Sequence, residues 1–272
     1  MKRFILLFFC IESYLGISSQ IVSNHYFTKY PSWAVELELE AQTNPLAQYV
    51  VGSYYFEGKG TNQDYDKALY WFQQYTKGDN PNKAEAYSYL GECYEQGKKD
   101  YEQAFSCYRL AALGKAPSAY FDLAACYLLG KGTTENVDSA LFWFEKGIFS
   151  PNSRASKVYC GYIYSFYKND MEKGMKYLNE ATQEGSGMAL YYLGEIYDDG
   201  IGGIKKDPSK AVSYYKESIY NETYSIVLTK LADHYYEGNG VPKDIEKAIE
   251  LYKDAARMGD ETAKQKLAGI KQ

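Results

Sequence analysis

The sequence predicts an all-α protein in which helical hairpins stack side by side as a solenoid, and three observations lead to this fold class. One residue pattern occurs six times: an Asp or Asn stands four positions before a small residue and usually seven before a bulky one. A second pattern of small, apolar and tyrosine positions comes before each of these. The repeats start 33 to 39 residues apart, a spacing typical of stacked supersecondary units.

The second pattern predicts the first helix of each hairpin. Counted from the opening small residue, an apolar residue stands at offset 4, Gly or Ala at offset 5, Tyr at offset 8 and usually Gly at offset 11, as in Ala189, Leu193, Gly194, Tyr197 and Gly200. Offsets 4, 5 and 8 lie on one face of a helix. The small residue at offset 5 lets a neighbouring helix approach closely. The glycine at offset 11 ends the helix because it adopts positive φ without a Cβ penalty.

The Asp or Asn of the other pattern predicts the start of the second helix. Its side chain accepts hydrogen bonds from the unpaired N–H groups of a first turn. Pro208 directly follows Asp207, and proline suits the first helical position because its missing N–H has no partner there. Neither helix buries its apolar stripe alone, so stability comes from stacking on the neighbouring hairpins. The six starting residues are Asp64, Asp100, Asn136, Asp170, Asp207 and Asp244.

These patterns predict how the chain is divided. Residues 21–46 read as an N-terminal half-repeat or cap, and residues 263–272 as the start of a C-terminal capping helix. The fourth repeat departs most, since Tyr167 and Gly174 stand at the expected Gly and Ala positions, and its turn geometry is left open. The six full repeats span residues 47–85, 86–118, 119–155, 156–188, 189–226 and 227–262.

The string that runs from Lys247 and Ala248 through Tyr252 to Gly259, with its counterparts in the other repeats, resembles the Sel1-like repeat family. This family is a branch of the tetratricopeptide-like α/α solenoids, and the resemblance covers about residues 34–270. It implies a right-handed α/α superhelix of about six helix-turn-helix repeats with partial terminal repeats. It also implies a noncatalytic scaffold or adaptor that binds other proteins.

Two alternatives stay open beside the adaptor function. A minority of the similar proteins is linked to hydrolysis of cell-wall-type or β-lactam compounds, which implies a secreted or periplasmic hydrolase as one alternative. Such chemistry needs a nucleophile beside a base, or a positioned pair of carboxylates. Acidic clusters such as Asp198 and Asp199 are the only candidates, and they read as a solvated helix end, so no catalytic residue is predicted. The other alternative is a permanent structural arm of a larger complex.

Composition limits the kinds of partner. With 35 acidic and 30 basic residues, the chain carries a net charge of −5. Nonspecific binding to nucleic acid or to an anionic membrane needs a basic face, so neither is expected. Tyrosine is abundant at 31 residues, and much of it falls at fixed positions of the repeat, which indicates a mainly structural role.

The first 20 residues predict a secretory signal peptide. Lys2 and Arg3 precede a short apolar run, residues 4–11, and the small residues Gly16 and Ser18 follow it. The run is too short to span a bilayer, and no later segment looks transmembrane. Export to the periplasm, the extracellular space or the endoplasmic reticulum lumen is therefore expected. The alternatives are a helix that caps the solenoid, in which case the protein is cytoplasmic, and an uncleaved anchor.

Cysteine and histidine usage predicts no metal site and no cofactor. No C-x2-C or H-x3-H cluster occurs, so zinc-type spacing is missing. Cys93 and Cys107 fall at similar heights on the two helices of one hairpin, so a disulfide between them is possible. Alternatively they are small buried hydrophobic residues. His234 lies on the inner stripe and is expected to be a core side chain with its hydrogen bonds satisfied.

The face that the repeat pattern leaves unexplained predicts a partner-binding groove. In similar solenoids the first helices line the concave surface, and the resemblance carries that register to offsets 2, 6, 9 and 10 here. The groove is then apolar in the third and fourth repeats and acidic on both sides, which favours a protein segment with an apolar anchor and basic flanks. Alternatively, these apolar side chains pack against adjacent first helices. The groove residues are Tyr49, Phe56, Glu92, Glu95, Phe121, Leu128, Leu129, Tyr162, Phe166, Tyr191, Asp198, Asp199, Asp233 and Tyr236.

Overall fold

The computed structural model describes residues 32–270, with side chains from Glu36 onward, and the regular elements in this part of the chain are all helical. The all-α prediction is confirmed. The proposed signal peptide, residues 1–20, lies outside the described residues. Two compact units, residues 1–119 and 120–272, divide the chain, and each is described by itself.

The described part of unit 1 contains a single helix followed by two hairpins. Helix α1 packs on α2, α2 forms a hairpin with α3, and α4 forms one with α5. A π-helical turn, Cys93–Lys98, continues α4. The helices are α1 (Ser32–Ala41), α2 (Pro45–Glu57), α3 (Tyr65–Lys77), α4 (Lys83–Glu92) and α5 (Tyr101–Leu113).

The described part of unit 2, which ends at residue 270, contains four hairpins followed by a single helix. The first helices of these hairpins are α6, α8, α10 and α12, and the second helices are α7, α9, α11 and α13. Helix α14 packs on α13. The helices are α6 (Ala119–Leu129, starting at the unit boundary), α7 (Val137–Gly147), α8 (Ser153–Phe166), α9 (Met171–Gln183), α10 (Gly187–Asp199), α11 (Pro208–Asn221), α12 (Ser225–Glu237), α13 (Ile245–Arg257) and α14 (Glu261–Ile270).

The predicted N-terminal caps of the second helices are confirmed. Each of the six Asp or Asn residues directly precedes its helix, and its side chain accepts a hydrogen bond from a first-turn N–H. Asp64 accepts two, from Asp66 and Lys67 at 3.0 Å each. Because such a cap contributes about 1 kcal/mol, the repeated Asp/Asn both marks the helix start and stabilises it.

The small residue at offset 5 is needed for close packing within the hairpin. A Cβ on Gly91 would lie 2.5 Å from Cε1 of Tyr108 in the facing second helix. A Cβ on Gly194 would lie 2.7 Å from Cδ1 of Tyr215 in the same way. Both tyrosines are almost fully buried, so the missing side chain lets an aromatic ring lie directly against the helix backbone.

The fourth repeat forms its hairpin without a glycine in the turn. Helix α8 ends at Phe166 and α9 starts at Met171, with Asn169 as the left-handed residue at φ 52°. The second repeat solves its short turn similarly, with Lys99 at φ 57°. Gly174 faces Ser165, whose Oγ would overlap a Cβ at that position. The pattern expects a small residue at position 174, and glycine is required because the Cβ of an alanine would collide with Ser165.

Candidate partner-binding surface

The structure corrects the register of the predicted groove at offset 2. Tyr49 and Tyr191 are only 6% and 7% exposed and belong to the core of their units. The ring centroid of Tyr49 lies 5.7 Å from that of Phe72 and 5.2 Å from that of Tyr75, both on α3. The prediction placed these tyrosines on an open face. Because each first helix also packs against the next hairpin, its buried stripe is wider than one partner helix would require.

The partly exposed tyrosines of the first helices stand at offset 3 and not at offset 2. The sequence analysis did not assign offset 3 to the groove. Tyr89, Tyr159 and Tyr192 stand there in the second, fourth and fifth repeats, and each is half-buried. Each ring reaches back to the preceding repeat where both lie in one unit: Tyr192 lies 4.8 Å from Tyr162 between ring centroids. Tyrosine at the same offset in three repeats was the signal that could have identified this row.

In unit 1 the predicted groove residues are engaged in packing. The ring of Phe56 is half-buried and contacts Tyr65 and Tyr89, with centroids 5.9 and 5.2 Å apart. Glu95 accepts a hydrogen bond from the Tyr108 hydroxyl at 2.8 Å. Glu92 is half-buried in the same helix, just before the π-helical turn. These residues contribute to the stability of the hairpins in unit 1.

In unit 2, five aromatic residues on α8, on its following turn and on α10 form a continuous partly exposed surface, which we call the tyrosine trough. Tyr162 is its centre, with ring centroids 5.1 Å from Phe166, 5.5 Å from Tyr167 and 4.8 Å from Tyr192. The hydroxyl oxygens of Tyr162 and Tyr167 are 3.4 Å apart. Tyr167 is 50% exposed. The five residues are Tyr159, Tyr162, Phe166, Tyr167 and Tyr192.

The predicted apolar anchors of the third repeat lie beside this trough. The ring of Phe121 packs edge-on against Phe144 and Tyr159, at centroid distances of 5.4 and 5.7 Å, and Leu128 joins the same core cluster. Leu129 is 70% exposed. Phe121 and Leu128 therefore pack within the core, as the alternative to an open groove predicted, whereas Leu129 remains accessible.

The acidic residues that the sequence placed in the fifth and sixth repeats mostly have partners inside unit 2. Asp233 is bound by Lys266 and by the hydroxyl of Tyr252. Asp198 lies 3.2 Å from Nε2 of His234. Asp199 is exposed at the end of α10, and Tyr236 is 38% exposed. The acidic flank is therefore smaller than the charge pattern suggested.

Glu195, which stands at offset 6 of the predicted groove, forms the counterpart of the Asp233 cluster one repeat earlier. Its carboxylate lies 2.9 Å from Nζ of Lys230 and accepts a hydrogen bond from Tyr215 at 2.7 Å. Lys230 stands at offset 3, the position that Tyr192 occupies in the preceding repeat. Contacts between neighbouring first helices thus change from aromatic around Tyr192 to ionic around Lys230 and Lys266.

His234 is a core residue, as expected. It is 4% exposed, and its Nδ1 lies 2.8 Å from the carbonyl oxygen of Asn239, while its Nε2 faces Asp198. With both ring nitrogens engaged, the imidazole fixes the end of α12 against α10. Within residues 36–270, no group of His, Cys, Asp and Glu side chains has a metal-binding arrangement.

Cys93 and Cys107 are free thiols in this structure, so the bridge considered from the sequence is not formed. Both are buried in one core cluster of unit 1, which agrees with the alternative of small hydrophobic residues. Burial is the main cause that raises the pKa of Cys107 to about 12, and burial likewise raises the pKa of Cys93. At neutral pH neither forms the thiolate that reacts or coordinates metal.

Iodoacetamide should therefore leave both thiols unmodified in the folded protein at pH 8. After unfolding without reductant, mass spectrometry of a digest should show Cys93 and Cys107 each alkylated on separate peptides. Free glutathione in the same tube controls for reagent activity. A peptide in which the two residues are linked would contradict this expectation.

Comparison with known protein families identifies the repeats. The family model of the Sel1 repeat matches this chain six times, which together is more than half of its length. The matched residues are 45–75, 84–114, 117–148, 159–186, 187–221 and 226–260. No helix among the described residues has the length and apolar character needed to cross a membrane.

Relatives of known name match parts of the chain. The ERAD-associated E3 ubiquitin-protein ligase component HRD3B of Arabidopsis thaliana is 34% identical over 110 residues, which are 38% of this chain and 17% of that protein. Chitin synthase regulatory factor 2 of Schizosaccharomyces pombe is 29% identical over 147 residues, 48% of this chain and 28% of that protein. The chain spans less than half the length of the curated relatives that it matches.

Solved structures share the fold. A protective antigen present in uropathogenic Escherichia coli strains, described as displaying an SLR fold, superposes with a TM-score of 0.64 at 25% identity. That match covers 87% of this chain and 51% of the antigen. A Sel1 repeat protein from Oxalobacter formigenes gives a TM-score of 0.63 at 24% identity, covering 86% of this chain and 68% of that one.

Proposed function

This chain belongs to the Sel1 repeat family, and we propose that it is a noncatalytic interaction module that binds a segment of a partner protein on the exposed face of its first helices. The names of two relatives describe proteins that act together with other proteins. One is a component of an E3 ubiquitin-protein ligase, and the other is a regulatory factor of chitin synthase. Those roles belong to the relatives. For this chain we propose only the general role of an adaptor.

The observation that carries the proposal is the tyrosine trough together with Leu129. Aromatic side chains are frequent hot spots in protein interfaces because they bury a large area at low entropic cost. Here Tyr167 and Leu129 expose 50% and 70% of their surface, at the same end of neighbouring first helices. A partner segment that covers them buries an apolar anchor, as the sequence suggested for the third and fourth repeats.

The proposed location follows from the N-terminal segment. We propose that residues 1–20 direct the chain into the secretory route, supported by the order of basic, apolar and small residues there. The intact mass of the protein purified from its own cells tests this proposal. A mass that includes residues 1–20 would argue for the cap or the anchor instead.

The function is tested by removing the exposed anchors while keeping the fold. The double variant Leu129→Ser with Tyr167→Ala should capture its partner at least roughly tenfold less than the wild type, since losing hot-spot contacts typically costs 1–2 kcal/mol or more. The measurement is affinity capture of the full chain from its native cells, quantified by mass spectrometry. Circular dichroism checks that the variant is folded.

A matched control uses apolar side chains that are even more exposed but lie elsewhere. Phe149 and Tyr220 are 93% and 89% exposed and lie at the ends of second helices. Phe149→Ser with Tyr220→Ala should leave the captured partner unchanged. Retention of every partner by a folded Leu129/Tyr167 variant would overturn the proposed surface.

A further inference from the structure

The four tyrosines of the trough lie close enough to interact electrostatically, and the hydroxyls of Tyr162 and Tyr167 are 3.4 Å apart. Burial first, and then the hydrogen bond with Tyr167 and the nearby Tyr159 and Glu135, raise the pKa of Tyr162 to about 12. Burial also raises the pKa of Tyr192, with further contributions from Tyr159, Tyr162, Glu195 and Tyr167. Tyr162 and Tyr192 are therefore neutral at physiological pH, and their rings contact each other with centroids 4.8 Å apart.

The charge around the trough is negative. The carboxylate of Glu135 lies close enough to Tyr162, and that of Glu195 close enough to Tyr192, to raise the pKa of each hydroxyl. Glu195 is bound by Lys230, but Glu135 is exposed. The lysines on α8 and on the turn that follows it are already paired, Lys157 with Glu184 and Lys168 with Asp138. The local field thus favours a positively charged ligand.

The chain provides its own cation at the corresponding place in the next two repeats. Lys230 reaches from α12 to Glu195 on α10, and Lys266 reaches from α14 to Asp233 on α12. The ammonium of Lys266 also lies 5.8 Å from the ring centroid of Tyr252. Where α8 meets α10, tyrosines replace both the carboxylate and the lysine, so no internal cation is supplied.

Elsewhere in unit 2, lysines of the chain lie over tyrosine rings. Lys210 is 3.9 Å from the ring centroid of Tyr197, and Lys173 is 4.9 Å from that of Tyr164. Among residues 36–270, no lysine or arginine occupies this position over the rings of the trough. The trough combines the aromatic faces and the nearby negative charge that bind a cation, without the cation itself.

We propose that the tyrosine trough binds the side chain of an arginine or lysine in the partner segment, held by the aromatic faces of Tyr162, Tyr167 and Tyr192. This inference rests on the proposed function, since it names the chemistry of the segment that binds there. Glu135 contributes negative charge at the margin. The basic residue enters the trough itself, and the apolar part of the segment covers Leu129.

Three peptides of one length test the inference. The probes are N-acetylated heptapeptides, Gly-Ser-Leu-X-Leu-Ser-Gly, in which X is arginine, citrulline or glutamate. Citrulline matches arginine closely in shape but is neutral, with a urea oxygen in place of one guanidinium nitrogen. The full chain, labelled with ¹⁵N-tyrosine, is titrated with each peptide by two-dimensional NMR. The arginine peptide should bind roughly three- to thirtyfold more tightly than the citrulline peptide, and the glutamate peptide should bind weakest.

Variants of the protein locate the effect. Tyr192→Phe keeps the ring and should keep the preference for arginine, whereas Tyr162→Leu with Tyr192→Leu should abolish it. Because that pair is half-buried, Tyr167→Ala in the exposed turn provides a second variant that keeps the core intact and should reduce the preference. Equal affinity for arginine and citrulline, or no saturable binding at millimolar peptide, would overturn the inference.

The inference and the proposed function fail in different ways. If the Leu129/Tyr167 variant loses its partner while the peptides show no charge preference, the interaction surface stands and the cationic side chain is excluded. If the arginine preference is found but partner capture is unchanged, the trough binds cations and the partner binds elsewhere.

Discussion

Replacing Gly240 by alanine should lower the free energy of unfolding of unit 2 by roughly 3 kcal/mol or more. Gly240 has φ 72°, a left-handed conformation that costs an alanine about 1–2 kcal/mol. The new Cβ would also overlap the carbonyl group of Pro208 and lie 2.6 Å from the backbone nitrogen of Ser209. Backbone atoms at the start of α11 cannot move aside without disturbing the Asp207 cap, so overpacking adds about 1–3 kcal/mol. Urea unfolding followed by circular dichroism measures the loss.

Gly203→Ala is the matched control for this prediction. Gly203 has φ 82°, and a Cβ there would meet no atom within 4 Å. This variant should therefore show only the conformational cost, about 1–2 kcal/mol. If the two variants lose the same stability, the turn after α12 does not pack on the start of α11 as described.

Phe144→Ala should destabilise unit 2 by about 3–5 kcal/mol, the cost of a large cavity left by a buried aromatic ring. Phe144 is completely buried on α7, and its ring is stacked on Tyr159 with centroids 5.0 Å apart and an interplanar angle of 7°. Tyr159 belongs to the tyrosine trough. The variant should therefore weaken partner binding as well as lower the midpoint of thermal unfolding, both measured against the wild type.

Phe142→Ala is the matched control, because it removes an aromatic ring from the same helix at a position that is not buried. It therefore separates the effect of burial on stability from the effect of losing a ring. The Phe142 side chain is 50% exposed and its ring contacts Trp143 edge-on. We expect a loss below about 1 kcal/mol, the usual range for a partly exposed surface position. Similar unfolding midpoints for the Phe142 and Phe144 variants would contradict the described orientation of α7.

The hairpins were predictable because their signals are local. A cap such as Asp244 acts within four residues, and a small residue such as Gly194 reports the contact between two adjacent helices. Neither depends on how successive hairpins are rotated against each other. The fourth-repeat turn was less accessible, since the left-handed Asn169 replaces the expected glycine by a conformation that asparagine tolerates.

The candidate surface was predictable only in part. The apolar centre in the third and fourth repeats stays a prediction, whereas the assignment of offset 2 to the groove put Tyr191 on the wrong side of its helix. The periodicity of one helix defines a stripe, whereas the width of the buried stripe depends on the angle between neighbouring hairpins. The pairing of Lys230 with Glu195 was equally hidden, because it joins residues 35 positions apart.

The change from aromatic to ionic contacts between successive first helices restricts how this array can evolve. Glu195 is matched by the Lys230 of the following repeat, and Asp233 by Lys266. Tyr162 is matched instead by Tyr192. A gene duplication that inserted the fourth repeat in front of the seventh would place Tyr162 opposite Lys266 and leave Asp233 facing a partner of the wrong kind. We therefore expect the fourth repeat to be inherited together with its neighbours, because moving it next to one of the ionic contacts would leave a charge there unpaired.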